Sequence, residues 1–335
     1  MKKKRLEGAV RGSARLQPAT QRSRTRAKAP RYPTPSTTLH RDCLVGANPI
    51  IWSNDDFNEL AGNVPLDTIL REMRAAGYAG SELGHAYPRT PTALADALGR
   101  PDLRLVSGWH STYLATADLA AEEKNFRAHL NLLKTLGARV AIVAECSHCI
   151  HGTREAALGF CTSDRRALDA AEWDRLVIGL KLFCTVAASA EMRVVYHHHM
   201  GTVIQTEAEL DRLFADVPAL FLLLDPGHLA LAGIDPVAVT QRHAARIRHV
   251  HLKSLRPAIA ERVRREGWSF CRAVTEGVFT IPGDGCVDFP AIFRILKSVD
   301  YRGWLVAEAE EDPVKVPALP KARAARDYIR THAGV

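Results

Sequence analysis

The sequence lacks any apolar stretch long enough to span a bilayer, and its first residues lack the apolar core of a secretory signal. It also lacks the paired, evenly spaced cysteines of a disulfide scaffold, because its seven cysteines are an odd number in a chain of 335 residues. These absences predict a protein of a reducing compartment, the cytoplasm, with no membrane partner.

Two motifs that would indicate other functions are also missing. No Gly-rich loop follows the first predicted strand, so a doubly wound nucleotide-binding sheet is the less favoured α/β fold. Cys146 and Cys149 have the spacing of a metal or redox pair, but no second Cys-x-x-Cys completes a zinc site. We therefore interpret these cysteines as structural thiols.

The positive charge is concentrated at one end of the chain. Residues 1–41 contain twelve Lys or Arg and a single acidic residue, Glu7, which leaves a net charge of −3 for residues 42–335. The first segment is rich in Pro, Ser, Thr and Gln and shows no apolar periodicity. We predict a disordered basic extension over 1–41, which we interpret as dispensable, although an organelle-targeting peptide or a nucleic-acid arm has the same composition. Nucleic acid is not the favoured partner, because an acidic body repels it.

The remainder of the chain alternates short β-branched runs with longer amphipathic stretches. Eight such pairs in just under 300 residues predict that 42–335 form one α/β catalytic domain, a (β/α)₈ TIM barrel. The predicted strands are Cys43–Trp52, Tyr78–Leu83, Leu103–Trp109, Arg139–Glu145, Arg193–His198, Leu220–Asp225, His249–Lys253 and Gly303–Glu308. The predicted helices lie near 66–76, 91–98, 119–136, 171–190, 206–215, 235–245, 289–298 and 315–331. Residues 254–288, after the seventh strand, are predicted to form a long lid-like loop.

Imidazoles and carboxylates follow these strands at the ends where TIM barrels carry their active sites. Three consecutive histidines, 197–199, close the fifth strand, and Asp225 closes the sixth. A mixture of these two donor types suits a divalent cation of the Mn²⁺, Co²⁺, Zn²⁺ or Fe²⁺ kind. The candidate site residues are Trp52, Asn54, Glu82, His110, Glu145, His197, His198, His199, Asp225, His228, His251, Lys253, Glu308 and Glu310.

Four motifs in order resemble those of the inosose dehydratases, which belong to the xylose isomerase-like barrels. They are Ile51-Trp52-Ser53-Asn54-Asp55-Asp56, Tyr196-His197-His198-His199-Met200-Gly201-Thr202, Pro282-Gly283-Asp284-Gly285 and the segment 303–313. The resemblance, which covers about 44–331, implies a metal-dependent lyase of inositol catabolism that removes water from scyllo-inosose (2-keto-myo-inositol) to give a trihydroxycyclohexane-1,2-dione. It implies Mn²⁺ or Co²⁺ as the metal, with Zn²⁺ or Fe²⁺ also compatible. A dependence on glutathione is reported for the family, and no motif here is assigned to it.

The resemblance also implies roles for particular residues. It places the metal ligands at His197, Asp225, His251 and Glu308. An imidazole at 197 replaces the superfamily's usual carboxylate, so either Glu145 or Glu310 could supply the missing charge. The resemblance makes His199 the base, His228 a substrate-contacting or proton-donating residue and Lys253 a stabilising charge, while Glu145 is a further catalytic candidate. The substrate contacts are then expected among Trp52, Asn54, Glu82, His110, His198 and Glu310.

Alternatives to this function stay open at the level of the sequence. Pro226 and Ser254 stand where the family usually has Thr and Asp, so the partner is predicted only as a small keto-polyol. A keto-sugar isomerase or epimerase on the same barrel is the first alternative, and a nucleic-acid-binding protein or barrel endonuclease is the second. The sequence also allows a homo-oligomer without requiring one.

Overall fold

The computed structural model describes residues 37–54, 57, 64–160 and 165–335. The predicted disorder of residues 1–36 and the motif residues Asp55 and Asp56 therefore lie outside the described residues. Leu39 is buried, and its backbone N–H donates to the Ala333 carbonyl at 2.9 Å. The packed body thus begins a few residues before the predicted boundary at 42.

Eight parallel strands close into a barrel, as predicted, and a separate antiparallel pair follows the seventh. Around the barrel each strand pairs with its neighbour in the chain, and the last strand pairs with the first. The strands are β1 (Leu44–Ala47), β2 (Gly80–Leu83), β3 (Arg104–Thr112), β4 (Val140–Glu145), β5 (Arg193–His197), β6 (Phe221–Leu224), β7 (Ile247–Leu252), β8 (Ser254–Leu255), β9 (Phe279–Thr280) and β10 (Trp304–Ala307). Strands β8 and β9 form the antiparallel pair, and the other eight form the barrel.

In the part of the chain that the structure describes, eight helices lie around the barrel in the positions that the amphipathic stretches predicted, and the helices Pro226–Leu231, Pro257–Glu266 and Phe270–Thr275 were not among the predicted ones. Several begin at side-chain caps; Asp169 and Thr206, for example, each form a capping box with the Glu three residues later. The helices are α1 (Leu66–Ala75), α2 (Pro91–Gly99), α3 (Leu119–Thr135), α4 (Ala170–Ser189), α5 (Glu207–Asp216), α6 (Pro226–Leu231), α7 (Pro236–His243), α8 (Pro257–Glu266), α9 (Phe270–Thr275), α10 (Phe289–Ser298) and α11 (Ala318–Ala333). Among the described residues, none of these helices is long and apolar enough to cross a bilayer.

The strands are apolar because both of their faces are covered. Every residue of β4 is buried, since one face lines the barrel interior and the other packs against helices. The donor side chains of the candidate site lie at or near the carboxyl ends of the strands, where they meet at the mouth of the barrel.

The segment between β7 and α10 is a folded insertion rather than the predicted lid-like loop. It contains β8, β9, α8 and α9, and buries its own apolar cluster around Trp268, Phe270 and Phe279. Its end packs closely against its start at Gly285, where a Cβ would lie 2.4 Å from Ser254 Oγ. Phe270 and Phe279 extend from this insertion toward the barrel mouth, with Phe270 5.1 Å from the His199 ring and Phe279 5.1 Å from the His228 ring.

Candidate active site and metal centre

Four consecutive barrel strands deliver four buried donor side chains to one point at the mouth. His197 ends β5, Asp225 follows β6, His251 lies in β7 and Glu308 follows β10. Asp225 is fixed by a second task, because its Oδ1 accepts the His228 N–H at 3.0 Å and caps α6. Its other oxygen, Oδ2, is left to face the histidines.

The donor atoms of these four residues converge. Asp225 Oδ2 lies 3.4 Å from His197 Nε2 and 3.5 Å from His251 Nδ1, and His251 Nδ1 lies 2.6 Å from Glu308 Oε2. Asp225, His251 and Glu308 each present one donor atom within 4.8 Å of the others. The geometry therefore brings together the four ligands that the family resemblance implies.

This donor set fits a divalent cation. Two carboxylates and two imidazoles are the ligands that Mn²⁺, Co²⁺, Zn²⁺ and Fe²⁺ accept in proteins. Asp225 Oδ2 is buried and accepts no hydrogen bond from the described residues, although the Lys253 ammonium lies 3.0 Å away. Burial alone would lower the pKa of His251, but the carboxylates of Glu308 and Glu82 raise it well above its usual value. The negative charge of the carboxylates that raises the pKa of His251 also favours a cation bound beside it.

Lys253 places a positive charge beside the carboxylates of Asp225, Glu308 and Glu310. Its fully buried Nζ lies 2.7 Å from Glu308, 2.8 Å from Glu310 and 3.0 Å from Asp225. Burial would lower the pKa of Lys253, but the three carboxylates raise it well above its usual value. Lys253 is therefore a fixed positive charge and does not line the cavity.

Glu82 joins the centre from the opposite wall of the barrel. Its carboxylate lies 2.6 Å from His249 Nε2 and 3.2 Å from His251 Nε2, and it accepts a 2.8 Å hydrogen bond from Asn48 Nδ2. Burial would raise its pKa, but His251 and His249 hold it well below the usual range. Glu82 thus contacts the Nε2 atom of His251 and orients its ring. Glu82 also lines the cavity.

A cavity of about 370 Å³ opens above the centre. His199 lines it, and its Nδ1 lies 2.8 Å from the Met200 carbonyl. Because a carbonyl oxygen can only accept, Nδ1 carries the proton and Nε2 keeps its lone pair. Burial lowers the pKa of His199 to about 4, so the ring is neutral at pH 7. The centre is thus flanked by an imidazole in the form that can remove a proton.

Two predicted substrate residues do not line this cavity. His110 packs between β3 and the helices, where its ring lies 5.1 Å from His129 and 5.7 Å from Phe126. His198 follows the last residue of β5 and is buried, with its ring 6.5 Å from that of His228. Trp109 and Ser111 line the cavity in place of His110, and His197 and His199 do so without His198.

Three further candidates are engaged in structural interactions. Glu145 is buried and accepts hydrogen bonds from Thr112 Oγ1, from the backbone N–H groups of 114 and 115 and from that of Ser147. It fixes the loops after β3 and β4, and does not reach the centre as a fourth ligand or a catalytic group. Trp52 is buried in the core and donates to Glu72, while the Asn54 side chain accepts the Phe57 N–H. None of these three lines the cavity.

His228 lies one layer behind the cavity wall. Its Nε2 is 2.9 Å from Lys253 Nζ, and its ring centroid is 3.8 Å from that of His199. Burial, with the nearby positive charges, lowers its pKa well below the usual value, so the ring is neutral and is not a charged imidazolium acid. His228 does not line the cavity, and its contacts are with His199 and Lys253. Glu310 does line the cavity, 3.8 Å from His199 Nε2.

Several cavity residues were absent from the predicted set. Asn48 bridges the carboxylates of Glu82 and Glu308 at 2.8 and 3.4 Å, and the Trp109 ring packs edge-on against His197 and His199 at 5.2 and 5.8 Å. Strand alternation would have identified Trp109 and Ser111. The signal for Asn48 is the proline that follows it, because proline ends β1 there. His85, Arg89 and His151 also line the cavity.

Comparison with known proteins identifies the family to which the chain belongs. The family model for the xylose isomerase-like TIM barrel matches residues 70–332. Inosose dehydratases of Geobacillus thermodenitrificans (strain NG80-2) and Clostridium botulinum (strain Eklund 17B / Type B) are 41% and 40% identical over 293 residues, which are 87% of this chain and 97% of each relative.

Solved structures of lower identity share the fold. L-ribulose 3-epimerase has a TM-score of 0.61 at 18% identity, over 86% of this chain and 93% of its own. A probable 3-DHS dehydratase of Bacillus anthracis has a TM-score of 0.63 at 16% identity, over 85% and 98%. Because the family model covers most of the barrel and the relatives of about 40% identity are matched over nearly their whole length, the chain belongs to the inosose dehydratases, within the xylose isomerase-like TIM barrel family.

Proposed function

We propose that this protein removes water from scyllo-inosose to give a trihydroxycyclohexane-1,2-dione. The observation that carries the proposal is the convergence of His197, Asp225, His251 and Glu308 beside the neutral imidazole of His199, in a cavity of a size that suits a six-membered polyol ring. The names of the relatives give the substrate class, and the arrangement of the residues supplies the chemistry.

His197, Asp225, His251 and Glu308 would hold the divalent cation, for which we propose Mn²⁺ or Co²⁺. A bound cation polarises the substrate ketone and makes the neighbouring C–H more acidic. Glu82 and Asn48 present an acceptor and a donor to ring hydroxyls from the opposite wall. Trp109 offers an apolar ring to the C–H face of the substrate. These contacts orient the ring so that the carbon beside the ketone faces His199.

His199 moves the proton in the proposed reaction. Its Nε2 lone pair takes the proton from the carbon beside the ketone, the C–H electron pair forms a C=C bond, and the β-hydroxyl leaves. The proton on His199 then converts the departing hydroxide into water, and the enol product tautomerises to the dione. We assign both transfers to His199, since His228 lies behind the wall and Lys253 is locked among three carboxylates.

Reaction in D₂O distinguishes this function from a keto-sugar isomerase or epimerase on the same barrel. A dehydratase consumes scyllo-inosose, releases water and gives the ultraviolet absorbance of a conjugated dione. An epimerase or isomerase returns a deuteron to carbon and leaves the number of hydroxyl groups unchanged. Mass spectra of the product after complete conversion therefore decide between them, and deuterated polyol without loss of water would refute the proposal.

Free thiols are consistent with a reducing location for this reaction. Cys43, Cys146, Cys149, Cys184, Cys271 and Cys286 are all unpaired in the described part of the chain. We keep the cytoplasm as the proposed compartment on that ground.

A further inference from the structure

A second cluster of donor side chains lies in the loop after β4, outside the centre described above. Cys146, Cys149 and His151 each offer one ligand atom, and the three atoms lie within 4.8 Å of one another. Cys146 is buried, whereas Cys149 and His151 are partly exposed. All three lie at the mouth of the barrel, and His151 lines the same cavity as His199, with ring centroids 4.9 Å apart.

The backbone of this loop is shaped to bring the three side chains together. The Cys149 N–H donates to the Cys146 carbonyl at 3.2 Å, and His148 between them adopts the left-handed conformation, with φ of +58°. The N–H of Ile150 donates to the Gly201 carbonyl at 2.8 Å. Gly201 has φ of +81°, and a Cβ there would lie 3.0 Å from the backbone nitrogen of His151. The glycine thus allows the loop to pass close to β5 and turn His151 back toward the cysteines.

This donor set contains two sulfurs, whereas the centre formed by His197, Asp225, His251 and Glu308, called the carboxylate centre below, contains none. Thiolate is the form of cysteine that binds metals, and the sulfurs of Cys146 and Cys149 lie within 4.8 Å of each other and of a ring nitrogen of His151. His148 is held elsewhere, because its Nε2 lies 2.9 Å from Glu172. Two sulfurs and one imidazole select Zn²⁺ over Mn²⁺, because thiolate is a soft ligand.

We propose that Cys146, Cys149 and His151 form a second metal site that binds one Zn²⁺ ion, with the fourth tetrahedral position left for water. Structural thiols, as interpreted from the sequence, and a dithiol redox pair assisted by His151 are the competing interpretations, and neither of them predicts a bound metal ion. Bound zinc fixes His151 in the cavity wall beside His199. The site does not depend on the proposed dehydratase activity, because it is defined by its own ligands.

Cobalt provides the test, because sulfur ligands give Co²⁺ an intense near-ultraviolet charge-transfer band that oxygen and nitrogen ligands do not. Full-length protein, reduced and kept anaerobic, is titrated with Co²⁺. We expect two equivalents to bind, one of them with the sulfur band. Cys149→Ser should lose that band together with one equivalent, and His151→Gln should bind this equivalent at least about tenfold more weakly.

Two control variants separate this site from the rest of the protein. Cys286→Ser changes an exposed cysteine of the insertion and should keep the band. Asp225→Asn should keep the band and lose the other equivalent, so failure of the carboxylate centre is distinguishable from failure of this one.

The proposal is overturned if reduced wild-type protein shows no sulfur band, or if the band persists in Cys149→Ser. It is also overturned if Cys146 and Cys149 form a disulfide in air despite an excess of Zn²⁺. Alkylation of the wild-type protein covers the case of a variant that fails to fold. Zn²⁺ should protect Cys149 from iodoacetamide, and unchanged alkylation in its presence contradicts the site.

Discussion

At the scale of single residues, three consecutive histidines at the end of β5 have different environments. His197 and His199 line the cavity, whereas His198 between them is buried and does not line it. The separation continues the side-chain alternation of β5 past its last residue, His197, and does not depend on the chemistry of histidine. It therefore offers a matched pair of substitutions.

Replacement of His199 by Gln should lower kcat for dehydration by about 10²–10⁴-fold, because the base for the α-proton is removed. KM and the bound metal content should change little, since His199 is not among the four proposed ligands. His198→Gln serves as the control, and its cost should appear mainly in the free energy of unfolding. Steady-state kinetics with metal analysis measures both. Equal losses of kcat in the two variants would contradict the assignment.

Lys253 contributes a single positive charge to a buried group of carboxylates. Lys253→Met should lower the free energy of unfolding of metal-free protein by about 3–5 kcal/mol, because Asp225, Glu308 and Glu310 lose their buried partner. Added Mn²⁺ should restore part of this loss. Urea unfolding with and without Mn²⁺ gives the two values, and exposed Lys124→Met should stay within about 0.5 kcal/mol of wild type. A neutral effect of Lys253→Met would show that the carboxylates are not ionised together.

At the scale of elements, the packing of β3 against α3 and α4 buries a pair of histidines far from the chemistry. His110 and His129 stack at 5.1 Å, and the His129 ring contacts the Gly108 carbonyl at 3.1 Å. Burial lowers the pKa of both to about 4, and in His110 the charge of His129 adds to the effect. These residues make the packing of this layer sensitive to pH.

The sign of that sensitivity follows from proton uptake. Between pH 6.5 and 4 the unfolded chain binds protons at these histidines and the folded chain does not. The stabilisation is therefore complete above pH 6.5 and falls as the pH drops toward 4, by about 3 kcal/mol for each histidine. His110→Leu should therefore reduce the fall in the free energy of unfolding between neutral and acidic pH by the contribution of one histidine. Urea titrations at pH 7 and pH 4.5 test this, and an unchanged difference between the two pH values would contradict it.

The insertion between β7 and α10 is the element that the sequence described least well. Its length predicted a loop, but Pro257–Glu266 and Phe270–Thr275 are helices over a small apolar cluster. Pro257–Glu266 is amphipathic, a pattern that favours a helix, whereas Phe270–Thr275 is too short to show a period and depends on tertiary packing for its stability. Long-range contacts of this kind cannot be read from a local pattern.

At the scale of the whole molecule, the barrel was predictable and the inner face of each strand only partly so. Eight alternating units specify the architecture because each apolar strand needs a helix to cover it. The four proposed ligands followed from the family resemblance. Trp52 and Asn54 were placed at the mouth because the first strand was drawn to residue 52, but Pro49 ends β1 early. Asn48 therefore lines the cavity, and Trp52 continues into the core.

The absence of His110 and His198 from the cavity wall has a related origin. Proximity in sequence to a polar cluster does not define the direction of a side chain, which alternates from one residue of an extended chain to the next. Glu145 illustrates a different limit, because a buried carboxylate at a strand end can serve the backbone of two loops as readily as a metal ion. Only the hydrogen-bond partners distinguish these two uses.

We propose that the centre formed by His197, Asp225, His251 and Glu308 carries out metal-dependent dehydration. The most direct measurement is the turnover of scyllo-inosose by full-length protein stripped with chelator and reloaded with Mn²⁺ or Co²⁺, followed by the ultraviolet absorbance of the dione. We expect no dione from stripped protein, recovery on reloading, and loss of recovery in Asp225→Asn. Dione formed equally well by stripped protein or by Asp225→Asn, or no dione from metal-loaded wild type, would contradict it.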